Sequence, residues 1–222
     1  MPGHKWSLEV ASKKLELPDF QLLICYFLYD QTYPNAWVPS SQVSIDVCPA
    51  FKSRIAVFYG ASATFCAPSD PSGSHGMHCE FIQATPSWQK GHAWYDYIFT
   101  KMQPKSTGQM QGLKFACVFL LFSMVHRNTL YPCALVQSFP TIGDGPDNKT
   151  GLWMVKPDIY QDGKPNLAIV HLNSVLQAAH LIPAYHTSDF IKQSLTMHDI
   201  LDEFKFFYVN KFVDHHAFNI AA

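Results

Sequence analysis

Hydrophobic positions crowd into short runs between Gly112 and Tyr185. FACVFLLFSMV (115–125), YPCALVQSF (131–139), GLWMVKP (151–157) and LAIVHL (167–172) come first, and NSVLQAAHLIPAY (173–185) closes the stretch. Turn-forming clusters separate them: HRNT (126–129), GDGPDN (143–148) and YQDGKPN (160–166). β-Branched and aromatic runs at this spacing predict consecutive strands of a small antiparallel sheet or barrel. Trp153 and Val155 would share one face of a strand, with Leu152 and Met154 on the other. Leu167, Ile169 and His171 likewise oppose Ala168, Val170 and Leu172. Both faces are apolar, so these strands are expected to be covered on two sides, as in a closed barrel or a covered sheet.

The flanks change period. Residues 7–17 predict a short helix opened by Ser7 and ended by Pro18. Asp19 can cap a second helix, in which Phe20, Leu23, Ile24, Phe27 and Leu28 fall on one face, ending near Asp30. Residues 33–53 hold three prolines and read as a connecting segment with room for one short strand. Strands are expected at Arg54–Phe58, extended or re-paired by residues 63–65, and at Trp94–Thr100. Residues 67–79 (APSDPSGSHGMHC) read as a loop, and 101–112 as a flexible polar excursion. Near the C-terminus, Thr196 to Asp199 has a capping-box pattern. Met197, Ile200, Leu201, Phe204, Tyr208 and Phe212 then predict one continuous helix to Asp214, packed on the sheet.

The domain expectation is a helical segment and linker over 1–50, then a β-rich domain with a C-terminal helix over 51–222. Hydrophobic residues make up 48% and charged ones 15%, which suits a packed core and argues against disorder. A formal net charge of −1 supplies no global field for nucleic acid or an anionic membrane. The longest apolar run, Phe115 to Val125, is too short for a helix to span a bilayer, so a soluble chain is expected. Cys25, Cys48, Cys66, Cys79, Cys117 and Cys133 include no CxxC pair, and no secretory h-region precedes them. Free, buried thiols in a reducing, intracellular setting are the expectation.

Chemistry is sparse. His75, His78 and Cys79, with Cys66 nearby, offer metal-ligand atom types, yet His78 and Cys79 would point apart on extended chain. A wet loop with incidental histidines explains them as well. Asp214, His215 and His216 would sit at a helix C-terminus, where the macrodipole favours imidazolium by about 0.3–1 kcal/mol. A metal there would need help from His171 or His180, each of which reads more simply as a hydrogen-bonded packing residue. Asp70 suits an Asx turn and stands beside the aromatic residues as a binding candidate. No GxSxG, P-loop, HExxH or GxGxxG occurs. No catalytic residue and no cofactor are expected, and no metal site is favoured.

Five longer stretches follow one another in a recognisable order: LPDFQLLICYFLYDQTYPNA, CPAFKSRIAVFYGASATFCAPSDPSGSHGMHCEFIQATPSW, YPCALVQSFPTIGDGPDNKTGLWMVKP, AIVHLNSVLQAAHLIPAY and FYVNKFVDHHAFNIA. Over about residues 15–220 the chain resembles the C-terminal region of fungal (basidiomycete) transposon-encoded proteins of the Plavaka and related CACTA-like type. The resemblance implies a transposon-derived module detached from an upstream RNase H-like catalytic core. The order of the central strands is similar to that of BAH or SH3-like chromatin-reading barrels, a likeness of fold alone. The transposon-protein resemblance includes Asp214, His215 and His216 but departs at the histidines of 75–78 and at His186. The combined expectation is an α+β fold: a small antiparallel barrel or bent sheet flanked by N-terminal helices and a C-terminal helix. The expected function is a non-catalytic interaction module, nuclear if functional, that binds protein or chromatin. An exposed aromatic cluster would serve it, with Trp88, Trp94, Tyr95 and Tyr97 as candidates. Two alternatives stand beside it. One is a metal-dependent hydrolase or nuclease-like fragment using the His/Asp set. The other is an accessory DNA-binding domain using Lys52, Arg54, Lys101, Lys105 and Lys114, which the overall charge does not support.

Overall fold

The computed structural model describes residues 3–67, 75–87, 91–101, 113–185, 203–213 and 217–218. Its spine is an antiparallel hairpin of β7 (Leu113–His126) and β8 (Thr129–Phe139). Eleven residue pairs register across it, and the register shifts once, between Val118 and Leu120. Phe119 is the extra residue, unpaired opposite β8 as in a β-bulge. On the other side of β7 the partner strand changes at the same place. β6 (Tyr97–Lys101) pairs with residues 113–117, and β2 (Ile55–Phe58) pairs with residues 121–123. β1 (His4–Trp6), β10 (Leu167–His171) and β11 (Val175–Ala179) then add to β2, β8 and β6, completing seven strands.

The bulge explains why the sequence of β7 shows no simple alternation. Phe115 and Cys117 lie on one face of the sheet, and so do Leu120, Phe122 and Met124, although the two sets differ in parity. The extra residue absorbs that phase slip. β8 has no slip, and its odd positions Cys133, Leu135 and Phe139 face the same side throughout.

That shared face is covered by two different structures. Over one half lie α1 (Leu8–Lys14) and α2 (Phe20–Thr32), burying Phe20, Ile24, Phe27 and Leu28 against Phe122 and Leu135. Phe20 meets Phe122 edge-on at 5.7 Å, and Phe27 meets Tyr131 at 6.0 Å with the rings perpendicular. Each such ring is worth about 1.5–3 kcal/mol of burial before entropy. Ser7 caps α1 through Oγ, which accepts from the Val10 amide at 3.3 Å. Over the other half lies a small sheet of β9 (Met154–Val155), β12 (Leu181–Pro183) and β13 (Phe207–Val209). It buries Trp153, Val155, Phe207 and Val209 against Phe99, Phe115 and Phe139. Beneath the opposite face lies a three-stranded sheet of β3 (Gly60–Cys66), β4 (Met77–Thr85) and β5 (Trp94–Tyr95). Ile82 and Ala84 of β4 pack there on Ile98, Val118 and Val136.

Several expectations change. The fold is α+β and rich in sheet, but the sheets are open, and no closed barrel forms among the described residues. Coverage of both faces comes from separate layers. The continuous helix expected to Asp214 does not form: residues 207–209 are a strand, paired with both β9 and β12. Residues 206–209 (FFYV) are a β-favouring run, and Phe207 and Val209 are buried while Tyr208 between them is less so. That alternation wins over the wider helical spacing of Phe204, Tyr208 and Phe212. Residues 196–202 lie outside the described residues. β10 is an edge strand and only half-buried, unlike the two-sided burial expected for it. Asp96 interrupts the strand expected over 94–100. Residues 33–53 form two short 3-10 turns, at Ser40–Gln42 and Ile45–Val47, and no strand. The strand pairing of β3 and β4 reaches into the expected loop as far as Cys66 and Met77. No helix among the described residues is long and apolar enough to cross a membrane.

The β7–β8 turn supplies the first test. Arg127 and Asn128 both have positive φ, 48° and 64°, the pattern of a two-residue type I′ turn. Arginine is strained there, because its Cβ crowds the backbone. The variant Arg127→Asn with Asn128→Gly is expected to gain about 0.5–1 kcal/mol, raising Tm by about 1–4 °C. Thermal unfolding followed by circular dichroism measures it; an unchanged or lower Tm contradicts the turn assignment.

Candidate functional site

Where the bulge sits, the shared face is open. Tyr97, Cys117 and Gln137 stand in one row across β6, β7 and β8. With Phe119 and Phe139 they floor a cavity of about 1140 Å³. Tyr95 lies over Phe119, ring centroids 5.0 Å apart at 36°, and Tyr97 meets Phe139 perpendicularly at 5.3 Å. Phe119 packs against both the helix-covered cluster and the strand-covered cluster, so the cavity lies at their junction. One wall is the segment from Lys156 to Pro165, another is Phe204 to Phe206, and His92 to Trp94 form the rim.

Two aspartates fix this geometry. Asp96 Oδ2 accepts from the Gln83 amide and Oδ1 accepts from Trp94 Nε1, both at 2.7 Å. Its backbone carbonyl accepts from the Val118 amide at 2.9 Å, just before the bulge. One residue therefore ties β4, β5 and β7 together and sets the angle of Trp94. Asp158 performs the same task in the wall. Its carbonyl accepts from Gln137 Nε2 at 2.9 Å, and its amide donates to the Ser138 carbonyl. Asp158 Oδ2 accepts from Asn166 Nδ2 at 3.0 Å. These carboxylates act as braces.

The floor is also chemically quiet. Burial pushes the Cys117 thiol up to about 12. Burial raises the Tyr95 phenol as well, with a smaller contribution from Cys117. Neither group exchanges a proton near neutrality.

Of the residues expected from sequence, Trp94, Tyr95 and Tyr97 line this cavity together. Trp88, Asp70, Asp214, His215 and His216 lie outside the described residues, as does Lys105. His171 and His180 do not meet, being separated by the length of β11. His171 Nδ1 accepts from the Asn173 amide at 3.1 Å, capping a 3-10 turn. His180 is exposed in the step between β11 and β12, its carbonyl accepting from the Asn210 amide. Among the described residues no three His, Cys, Asp or Glu side chains converge on a metal-sized point. Lys101 and Lys114 flank the start of β7, whereas Lys52 and Arg54 precede β2, which pairs near its far end. Among the described residues, these four basic positions thus fall at opposite ends of β7.

Sequence reading missed Phe119, Gln137, Phe139, Asp158 and Phe204. Phe119 is one of ten apolar residues in the eleven from Phe115 to Val125, and its role depends on β7 changing partners, which no local pattern announces. Asp96 could have been noticed, as a lone carboxylate between aromatic residues in WYDY.

The cap at His171 makes a pH prediction. Burial lowers the basicity of this imidazole, so its neutral form is the one the fold favours. The unfolded chain then binds the proton more readily, and stability is lost as pH falls below about 6.5. His171→Asn keeps an acceptor for the Asn173 amide and removes the titration. Urea unfolding at stepped pH is expected to show a smaller loss of stability below pH 6.5 in this variant; equal acid sensitivity would clear His171 of the role. In comparisons with known proteins, no family model matches the chain, and no curated protein or solved structure matches it either.

Proposed function

We propose that this chain is a non-catalytic interaction module that holds an extended protein segment in the aromatic groove floored by Tyr97, Phe119 and Phe139. The groove is the observation that carries the reading. Its volume, about 1140 Å³, exceeds the common range for small-ligand pockets, roughly 300–1,000 Å³. Its aromatic lining offers large, rigid contact area at low entropic cost, which suits apolar anchors on a peptide. Both signs of charge stand around it, with Lys156 and Lys205 beside Asp96 and Asp158. That balance favours a protein segment over the uniformly anionic backbone of DNA. The inert thiol at Cys117 and the two bracing carboxylates support binding without turnover. Chromatin proteins are the partner class we propose, on the expectation drawn from the resemblance to the C-terminal region of transposon-encoded proteins.

The test uses the whole chain against two probes, peptides tiling the core-histone tails and a phage-displayed library of random peptides. Micromolar binding by at least one sequence is expected, weakened tenfold or more by Phe119→Ala and altered by the rim change Lys205→Glu. Circular dichroism confirms that both variants fold. No binding to either probe overturns the reading, as does binding indifferent to both substitutions. Tighter, steeply salt-dependent binding to duplex DNA would replace it with the DNA-binding alternative.

A further inference from the structure

Two of the six cysteines, Cys66 and Cys79, are exposed free thiols, contrary to the expectation that all are buried. Pairing places them on one surface. In β3, Ser62, Thr64 and Cys66 are exposed, and Ala61, Ala63 and Phe65 are less so. In β4, Met77, Cys79 and Phe81 are exposed, and His78 and Glu80 are less so. Cys66 stands directly opposite Met77, and Cys79 is opposite Thr64, one rung away on the same face. Three sulfur atoms therefore share the last two outward-facing rungs of this hairpin. Met77 is 43% exposed.

We propose that this face is a binding site for a soft monovalent metal ion, Cu(I), with the thiolates of Cys66 and Cys79 and the thioether of Met77 as ligands. The ligand types select the ion. Thiolate and thioether sulfur are soft donors that favour Cu(I), whereas a structural zinc site wants four nitrogen or sulfur ligands. The imidazole within this stretch of strand, His78, is not on this face. The His78 ring turns to the other side, 5.4 Å from the Phe65 ring and 3.9 Å from Glu80 Oε1. Glu80 is itself engaged there, accepting from the Ala178 amide at 3.0 Å.

The same register disfavours a disulfide. Diagonal positions on an antiparallel pair are separated by about 7–8 Å, beyond the roughly 7 Å limit for bridging Cα atoms without moving the backbone. A metal ion between the sulfurs extends the reach by two bonds of about 2.3 Å each. Binding replaces each ligating thiol's proton with a metal–sulfur bond and changes no oxidation state. The site is independent of the aromatic groove, from which it is separated by the central sheet.

The reduced full-length chain is titrated anaerobically with Cu(I) in competition with a chromogenic Cu(I) chelator, and in parallel with Ag(I). Uptake of one equivalent is expected, with proton release. Metal is expected to protect Cys66 and Cys79 from iodoacetamide, read residue by residue by mass spectrometry. The pair Cys66→Ser and Cys79→Ser should abolish uptake, and Met77→Leu should weaken it about tenfold. Because all three side chains are exposed, the variants should unfold at the wild-type temperature. Full alkylation of both thiols in the presence of metal overturns the proposal. So does undiminished uptake by the double serine variant, or rapid closure of a Cys66–Cys79 disulfide in air.

Discussion

One extra residue in one strand governs this molecule. β7 must serve two partners in succession, β6 along its first half and β2 along its second, while pairing continuously with β8. Its apolar side chains change parity midway, and Phe119 takes up the difference as a bulge. Without that slip, Leu120, Phe122 and Met124 would point away from the helices they anchor. With it, both halves of the strand present their large residues to the same side. The cost is a locally broken ladder, offset by the Asp96 carbonyl, which accepts the Val118 amide at 2.9 Å.

The groove follows from the same constraint. Two unlike covers, a helix pair and a small C-terminal sheet, meet the face over its two halves, and Phe119 stands where they adjoin. Aromatic surface that another fold would bury is left facing the cavity. Its walls stay in place because Asp96 and Asp158 spend their oxygens on backbone amides and side-chain N–H groups. Such carboxylates are poor candidates for acid–base work and good ones for holding shape. Binding to a pre-shaped surface loses less to ordering than binding that must build its site.

Local chemistry was legible in the sequence, and long-range pairing was not. The face of α2 could be read from its periodicity, and the β7–β8 hairpin from HRNT between two apolar runs. Of the aromatic cluster expected from Trp88, Trp94, Tyr95 and Tyr97, the last three line one groove, and Trp88 lies outside the described residues. The bulge was invisible, since a run that is apolar but for Ser123 carries no phase information once both faces of a strand are covered. Residues 207–209 misled because their neighbours match helical spacing; only β9 and β12, distant in sequence, make them a strand. The exposure of Cys66 and Cys79 was likewise set by the register of β3 with β4 rather than by their neighbours.

Single-residue deletion in β7, followed by urea unfolding, tests the role of the bulge most directly. Removing Phe119 leaves every remaining ladder pair and every core face unchanged, converting the bulge into a regular strand. Removing Ala116 instead forces Cys117 and Val118 to exchange faces. The Phe119 deletion is expected to unfold cooperatively, with a loss of no more than about 3 kcal/mol for the missing half-buried ring, whereas the Ala116 deletion should show no cooperative transition. Equal damage from both deletions, or a fold that survives loss of Ala116 but not of Phe119, would contradict the bulge as the organising element.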